Sequence, residues 1–383
     1  MKKPFHQIRA GIIGTGFICA VHVETLKRLG VQVTAICGST KNARALADKW
    51  GIPEVYGDYD YAALYRSPNV DVIHITSPNK VHVEQAVAAL AAGKHVICEK
   101  PLGMTAEESA HVVAAANQSA ALIFAVNFNV RFYPAVLQLR ADLAARRFGQ
   151  IIHVNGSYMQ DWLAKATDYN WRLLAEEGGR LRAVGDVGSH WMDTATFILG
   201  ARIESVFAHL STFHKTRLRP VGEVQTFSDA APKESVPYTV NTEDFANILL
   251  KFNNGALGNL SVSQVATGRK NSIRLEIYGT ERSAWWDSEE PNVLHYGSRD
   301  GANVSAQRAA AGFTDTQGFS DYPPGHAEGF PDTFKMLYRA VYSEIAGDAT
   351  GPRLYATALD GHHEMELCDA ILKSHRTQQW QTV

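Results

Sequence analysis

From residue 8 to residue 126, short apolar runs alternate with stretches whose apolar residues recur at helical spacing. Runs at 8–13, 31–37, 70–75, 95–98 and 122–126, with a shorter one at 54–56, predict strands. Between them, 43–50, 59–65, 81–91 and 106–117 predict helices. Strands that are apolar on both faces and separated by helices imply a parallel sheet covered on two sides. After 133–147, which reads as a connecting helix, the pattern changes. Ile273, Leu275 and Ile277 alternate with polar residues, as in a sheet with one covered face. Strands are expected at 151–160, 203–210, 245–252, 256–265, 272–278 and 283–286, with Asn253-Asn254-Gly255 as a hairpin signal. Further helices are expected at 191–199, 332–346 and 356–373. Segments 212–240 and 299–321 read as excursions from the sheet.

The turn between the first strand and the first helix carries Gly14-Thr15-Gly16. Gly14 permits a tight turn, and Gly16 lets the backbone approach a pyrophosphate. Its phosphates would rest on the N–H groups opening the helix, around Phe17 and Ile18. Strand, glycine turn and helix in that order predict a doubly wound Rossmann sheet over residues 1–130. Residues 131–383 then form an α+β domain, its last helix expected to pack back on the first half. Composition adds little: 45% hydrophobic and 20% charged residues suit two ordinary globular cores. A net charge of −2 argues against nucleic acid or an anionic membrane as partner. No stretch has the length or apolarity expected of a membrane span. Cys19, Cys37, Cys98 and Cys368 lie far apart with no C-x-x-C pair, as expected of reduced thiols in a cytoplasmic protein.

In doubly wound sheets the ligand lies beyond the carboxyl ends of the strands. After the second strand stand Cys37-Gly38-Ser39-Thr40-Lys41, with Arg44 one turn on, and no carboxylate for a ribose 2′-hydroxyl. Hydroxyls and cations suit a 2′-phosphate, so Ser39, Thr40 and Arg44 favour NADP, with NAD the alternative. Ser39 could equally cap the next helix. After the next long strand, Ser77, Pro78, Asn79 and His82 form a polar loop suited to a ribose or nicotinamide. Glu99-Lys100-Pro101 then ends a buried strand, where charges are costly unless paired. Lys100 is placed to touch both substrate and nicotinamide ribose, and Asn127 and Arg131 follow the last strand of the sheet.

These features together resemble the glucose-fructose oxidoreductase / inositol dehydrogenase / rhizopine-catabolism (Gfo/Idh/MocA) family. The matching residues are Gly14-Thr15-Gly16, Pro78-Asn79 with His82, residues 92–96 leading into Glu99-Lys100-Pro101, and Asn127, Arg131 and Pro134. Further on are Trp171-Arg172, Gly178-Gly179, and Asp186-Val187-Gly188-Ser189-His190 with Asp193. The resemblance implies NAD(P)-dependent oxidation or reduction of a sugar, polyol or related carbonyl compound. It also implies an open-faced, mostly antiparallel sheet in the second domain, through which such chains form homo-oligomers, dimers or tetramers. By the same resemblance Trp171 and Arg172 lie near the nicotinamide, and Lys100 steadies the alkoxide or polarises the carbonyl.

Asp186 and His190 are four apart, so both side chains share one face if the helix has already begun. Oxidising a secondary alcohol needs a base for the hydroxyl proton, and an imidazole titrates near neutral pH. His190 is therefore the expected proton acceptor or donor, Asp186 its companion in holding substrate, and Asp193 a structural residue. Tyr158, Gln160, Trp162 and Arg172 mix aromatic faces with hydrogen-bonding groups, as sugars require, and His326 is a further candidate. His362, His363, Glu364 and Glu366 lack a recognised metal-ligand spacing and are assigned to solvent and salt bridges, with no metal expected. Two rivals remain: an NADP-binding regulatory or sensor protein without turnover, and a methyltransferase. Lys100, Asp186 and His190 argue against the first, Glu99-Lys100-Pro101 and the second sheet against the other.

Overall fold

In the computed structural model, residues 3–221, 234–308, 318–323 and 325–383 are described. The chain divides into two compact units, Met1–Asn129 with Thr333–Met365, and Val130–Asp332 with Glu366–Val383. In the first unit the strands are β1 (Arg9–Ile13), β2 (Gln32–Cys37), β3 (Glu54–Tyr56), β4 (Val72–Ile75), β5 (His95–Cys98) and β6 (Phe124–Val126). Helices α1 (Phe17–Arg28), α2 (Thr40–Trp50), α3 (Tyr61–Arg66), α4 (His82–Ala91) and α5 (Ala106–Gln118) connect them. The six strands pair in parallel in the order β3-β2-β1-β4-β5-β6. The order reverses between β1 and β4, which is where such sheets bind their ligands. Both faces of the sheet are covered, so β4 is buried throughout at Val72, Ile73, His74 and Ile75. The expected Rossmann architecture is observed.

The second unit begins with α6 (Pro134–Ala144) and β7 (Ile151–Met159). The short helix α7 (Ala175–Gly178) precedes α8 (Ser189–Leu199), and then come β8 (Ile203–Ser211), β9 (Thr216–Pro220) and β10 (Ser235–Thr239). Next are β11 (Phe245–Phe252), β12 (Leu257–Ser263), β13 (Ser272–Gly279), β14 (Ser283–Asp287), β15 (Val293–Gly297) and β16 (Val304–Gln307). The chain ends with α9 (Phe330–Ala346), α10 (Ala358–Thr377) and β17 (Gln381–Thr382). Among the described residues nine strands form a mixed sheet, β16-β15-β14-β13-β7-β12-β11-β8-β17, in which β7 and β12 are parallel and the other pairs antiparallel. Alternation along β11 buries Ala246, Ile248, Leu250 and Phe252 and leaves Asn247, Leu249 and Lys251 exposed.

Trp191 of α8 donates from Nε1 to the Arg274 carbonyl at 2.8 Å, where the covered face of the sheet has no side chain at Gly156. A Cβ at Gly156 would stand 2.2 Å from that indole nitrogen, so glycine is what admits the helix. The expected excursion at 212–240 contains a two-stranded ribbon, β9 with β10, and residues 222–233 lie outside the described residues. That at 299–321 contains β16, which continues the main sheet; residues 309–317 again lie outside. Strand β15 escaped the sequence reading because Val293–Gly297 is short and mixes His295 and Tyr296 with apolar residues.

Candidate functional site

In the first unit, the predicted residues collect on loops beyond β1, β2, β4, β5 and β6. Gly14 has φ +107°, and a Cβ there would stand 2.7 Å from the Thr76 backbone, so the β1 and β4 loops can pack only around glycine. Gly16 is the N-cap of α1 without a side-chain cap, and a Cβ there meets no atom within 4 Å. Open space before an uncapped helix start, with Phe17 and Ile18 as its first residues, suits an anion. The site suits a dinucleotide, whose pyrophosphate Gly16 and the first turn of α1 would hold. Cys19, directly behind, is wholly buried, and burial raises its thiol pKa to about 12, so it remains a packing residue.

Ser39 stands at the N-cap of α2, but its hydroxyl makes no capping bond. Arg44 is exposed one turn on. The sequence showed no carboxylate at this end of β2, yet the structure brings one from the β3 loop. Thr40 Oγ1 donates to Asp58 Oδ1 at 2.6 Å, and Asp58 N donates back to Thr40 Oγ1 at 3.1 Å. In the β4 loop, Ser77 Oγ donates to Gln85 at 2.5 Å, while Pro78 precedes a single turn that begins at the buried Asn79. His82 lies with Nδ1 2.8 Å from the Pro101 carbonyl and Nε2 2.8 Å from that of Ser77. Its ring therefore ties the β4 loop to the β5 loop.

Beyond β5, Glu99 is buried with three hydrogen-bonding neighbours. His22 Nε2 lies 3.0 Å from Oε1, Asn127 Nδ2 donates to the same oxygen, and the Lys100 N–H donates to Oε2 at 3.3 Å. Burial pulls the pKa of Glu99 upward, but the hydrogen bond from His22, the charge of Lys100 and the Asn127 amide leave it below the usual carboxylate value. That pairing is what makes the strand-end charge affordable.

In the second unit, Val184–Gly188 forms a π-type turn running straight into α8, so Asp186 is already helical four residues before His190. Arg172 Nε lies 3.2 Å from Asp186 Oδ1, and its guanidinium stacks on Trp171, 4.4 Å from the ring centroid. On the other side Gln264 Nε2 donates to Asp186 Oδ2 at 2.8 Å. The amide orientation follows from Arg182, whose Nη1 donates to Gln264 Oε1 at 2.9 Å, because a guanidinium only donates. Arg182 is fully buried and pairs with Asp244, which also accepts from Arg217 Nη2 at 2.9 Å. Burial raises the pKa of Asp244, but Arg182 and the His214 N–H more than reverse this, so the group stays ionised. Asp186 is thus held as an acceptor between two donors.

His190 is 8% exposed, with the ring of Tyr158 at 6.3 Å between centroids. Asp193 takes Arg131 instead, Nε to Oδ2 at 2.8 Å, so Arg131 serves α8 and Asp193 is structural. The proposed substrate residues Tyr158, Gln160 and Trp162 form one chain through Asn271. Tyr158 Oη and Gln160 Nε2 both donate to Asn271 Oδ1, at 2.7 and 2.9 Å, and Trp162 Nε1 donates to Gln160 Oε1 at 2.8 Å. His326 is exposed on its loop, Nδ1 3.3 Å from the Pro323 carbonyl. His363 and Glu364 are buried rather than solvated, because that side of α10 faces inward. His362 Nδ1 instead meets Ser109 Oγ at 2.8 Å. Among the described residues there is no cluster of three or more His, Cys, Asp or Glu suited to a metal. Gln264, Arg182, Asn271 and Asp58 were missed by sequence reasoning. Only the adjacent Glu243-Asp244 pair, set between two predicted sheet segments, hinted at a buried network.

Two family models match the chain. One, described as an oxidoreductase family with an NAD-binding Rossmann fold, covers residues 8–128; the other, a GFO/IDH/MocA C-terminal domain, covers 136–285. The levoglucosan dehydrogenase of Pseudarthrobacter phenanthrenivorans is 30% identical over 331 residues, 84% of this chain and 82% of that protein. The D-glucoside 3-dehydrogenase of Escherichia coli is 30% identical over 270 residues, 70% of this chain and 73% of that protein. A solved structure of levoglucosan dehydrogenase in complex with NADH superposes with a TM-score of 0.86 at 28% identity, covering 98% of this chain and 99% of that one. On both the sequence match and the shared architecture, this chain belongs to the GFO/IDH/MocA family of oxidoreductases, with its NAD-binding Rossmann fold in the first unit.

Proposed function

We propose that this protein is an NAD(P)-dependent dehydrogenase or reductase. It acts between a secondary alcohol and the corresponding carbonyl of a sugar, polyol or glycoside. The observation that carries the reading is the Asp186–His190 pair, one carboxylate held between Arg172 and Gln264 and one imidazole a turn later. The names of the relatives, dehydrogenases of levoglucosan and of D-glucosides, support the substrate class. The nicotinamide, when bound, accepts or supplies hydride. His190 takes the hydroxyl proton in oxidation and returns it in reduction. Asp186 orients the substrate, and Lys100 favours the oxygen that gains negative charge. Asn79, Asn127, Trp171 and Arg172 complete the cofactor contacts, and Tyr158, Gln160 and Trp162 the sugar contacts. A panel of monosaccharides, inositols and glycosides, followed at the nicotinamide absorbance band, tests this; no turnover with any member and either cofactor would refute it.

The finer reading is NADP in preference to NAD. It is supported by the Ser39 hydroxyl, which is not used as a cap, and by exposed Lys41 and Arg44. Asp58 opposes it, since a carboxylate there repels a 2′-phosphate. Titration by cofactor fluorescence is expected to show NADP binding more tightly. Asp58→Asn is expected to widen the gap by roughly tenfold, the equivalent of one screened charge contact. Tighter binding of NAD overturns the reading.

The reading extends to a cytoplasmic homo-oligomer. The open face of the nine-stranded sheet presents Leu249 and Leu257, 48% and 55% exposed, with Trp380 at 42%. Apolar side chains on a free sheet face suit a second copy of the chain. Light scattering is expected to give a dimer or tetramer, and a monomer at micromolar concentration would exclude it.

A further inference from the structure

We propose that the buried pair His22 and His74 acts through Glu99 as a positioning device for Lys100. The inference rests on the reading of Lys100 as a residue that meets the substrate. All of its parts lie in the first unit: His22 on α1, His74 on β4, Glu99 and Lys100 at the end of β5, Asn127 beyond β6, and Tyr338 and Tyr342 on α9.

The geometry assigns each proton. Both rings are 0% exposed, with His22 Nδ1 and His74 Nδ1 2.9 Å apart. A neutral imidazole donates at one nitrogen and accepts at the other. His22 Nε2 lies 3.0 Å from a Glu99 carboxylate oxygen, which only accepts, so Nε2 carries the proton. His22 Nδ1 is then bare, and His74 Nδ1–H donates to it. His74 Nε2 is bare in turn and accepts from the Tyr342 hydroxyl at 2.9 Å. The chain runs one way, Tyr342 to His74 to His22 to Glu99. Burial, and then the facing His22, hold His74 well below the usual histidine range, so the His74 ring is neutral.

The chain ends on a carboxylate with both oxygens engaged, Oε1 by His22 and Asn127, Oε2 by the Lys100 N–H. Other titratable groups face this cluster. Tyr338 stands 5.2 Å from His22 and 5.1 Å from His74 between ring centroids, and burial raises its pKa. Cys19 and Cys98 are likewise held as thiols by burial. With these groups neutral, Glu99 is the anion beside Lys100. Packing alone would be served by an apolar pair of the same volume, since replacing both partners of a buried hydrogen bond is close to neutral. A matched series of donors is needed only if the carboxylate must stay charged and oriented.

Removing the His22 donor therefore raises the pKa of Glu99. Oε1 is then left with the Asn127 amide, so the carboxylate can turn and no longer fixes the Lys100 N–H at Oε2. In His22→Leu kcat is expected to fall by about tenfold as Lys100 loses its fixed position. Affinity for ADP, which lacks the nicotinamide half, should stay within about twofold, because the phosphate-binding turn is untouched. His22→Gln can donate from its amide nitrogen and accept at its oxygen, and is expected to restore kcat. An unchanged kcat in folded His22→Leu, or no recovery in His22→Gln, would overturn the proposal. Nitrogen-15 spectra of histidine-labelled wild-type protein give a test that needs no variant to fold. They are expected to show His22 protonated at Nε2 and His74 at Nδ1. The reverse tautomers, or a cationic His74 ring, would refute it. Full turnover in Lys100→Met would instead strike the reading of Lys100 itself, with the tautomers unchanged.

Discussion

Replacing His190 with alanine is expected to lower turnover by about 10²- to 10⁴-fold while cofactor binding persists. A positioned acid or base contributes that factor, about 3–5 kcal/mol of barrier. The helix that carries His190 does not depend on it. α8 is anchored by Trp191 on the Arg274 carbonyl and by Asp193 on Arg131. The folded state should therefore survive, and the melting temperature is expected to stay within a few degrees. Dinucleotide affinity should also hold, since the uncapped α1 start and Gly14 lie in the other unit. A pre-steady-state measurement with saturating cofactor and substrate separates the two effects. Unchanged turnover in the variant would remove His190 from the mechanism and leave Asp186 without a proton-transfer partner.

Arg182→Met is expected to carry the largest stability loss, about 3–5 kcal/mol. Arg182 and Asp244 are both wholly buried, and removing the cation leaves Asp244 with Arg217 as its ion-pair partner among the described residues. Asp244 also accepts the Phe213 and His214 N–H groups at 2.7 and 3.0 Å, so it cannot turn to solvent. Through Arg217, which donates to the Lys165 and Leu163 carbonyls at 2.8 and 2.9 Å, the same cluster binds the β9–β10 ribbon to the 163–168 loop. Denaturant unfolding of the variant should show the loss, with a thermal midpoint lower by on the order of 10 °C. Adding Asp244→Leu is expected to recover part of it, because an unpaired buried charge costs more than a missing pair. Arg182→Met also frees the Gln264 amide to rotate, so any surviving protein should show a weakened grip on Asp186 and a raised KM. A variant as stable as the parent would show that the cluster is not a support of the second unit.

Much of this molecule is written locally. Strand and helix order in the first unit follows from apolar runs and helical spacing, and its sheet topology from their alternation. Gly14-Thr15-Gly16 is a turn that only glycine can make where the Thr76 backbone passes, so its position in the sequence marks the phosphate end of the sheet. Asp186 and His190 share a face because four residues separate them on a helical backbone, whatever else surrounds them.

Partnership is different, because a side chain's pattern along the chain is the same whichever distant group it meets. His22 reaches Glu99 across 77 residues and Gln264 reaches Asp186 across 78. The carboxylate missing after β2 arrives from Asp58, 18 residues beyond Thr40. Arg131, which its position beyond β6 offered to a ligand, is taken by Asp193. His363 and Glu364 are polar letters on a buried helical face. The sequence by itself determined the two sheets, the glycine turn and the spacing of the acid–base pair, since each depends on neighbours a turn apart. Only the tertiary structure decided which charges are paired, which hydroxyls are engaged and which protons are held, because those depend on groups that folding alone brings within 3 Å.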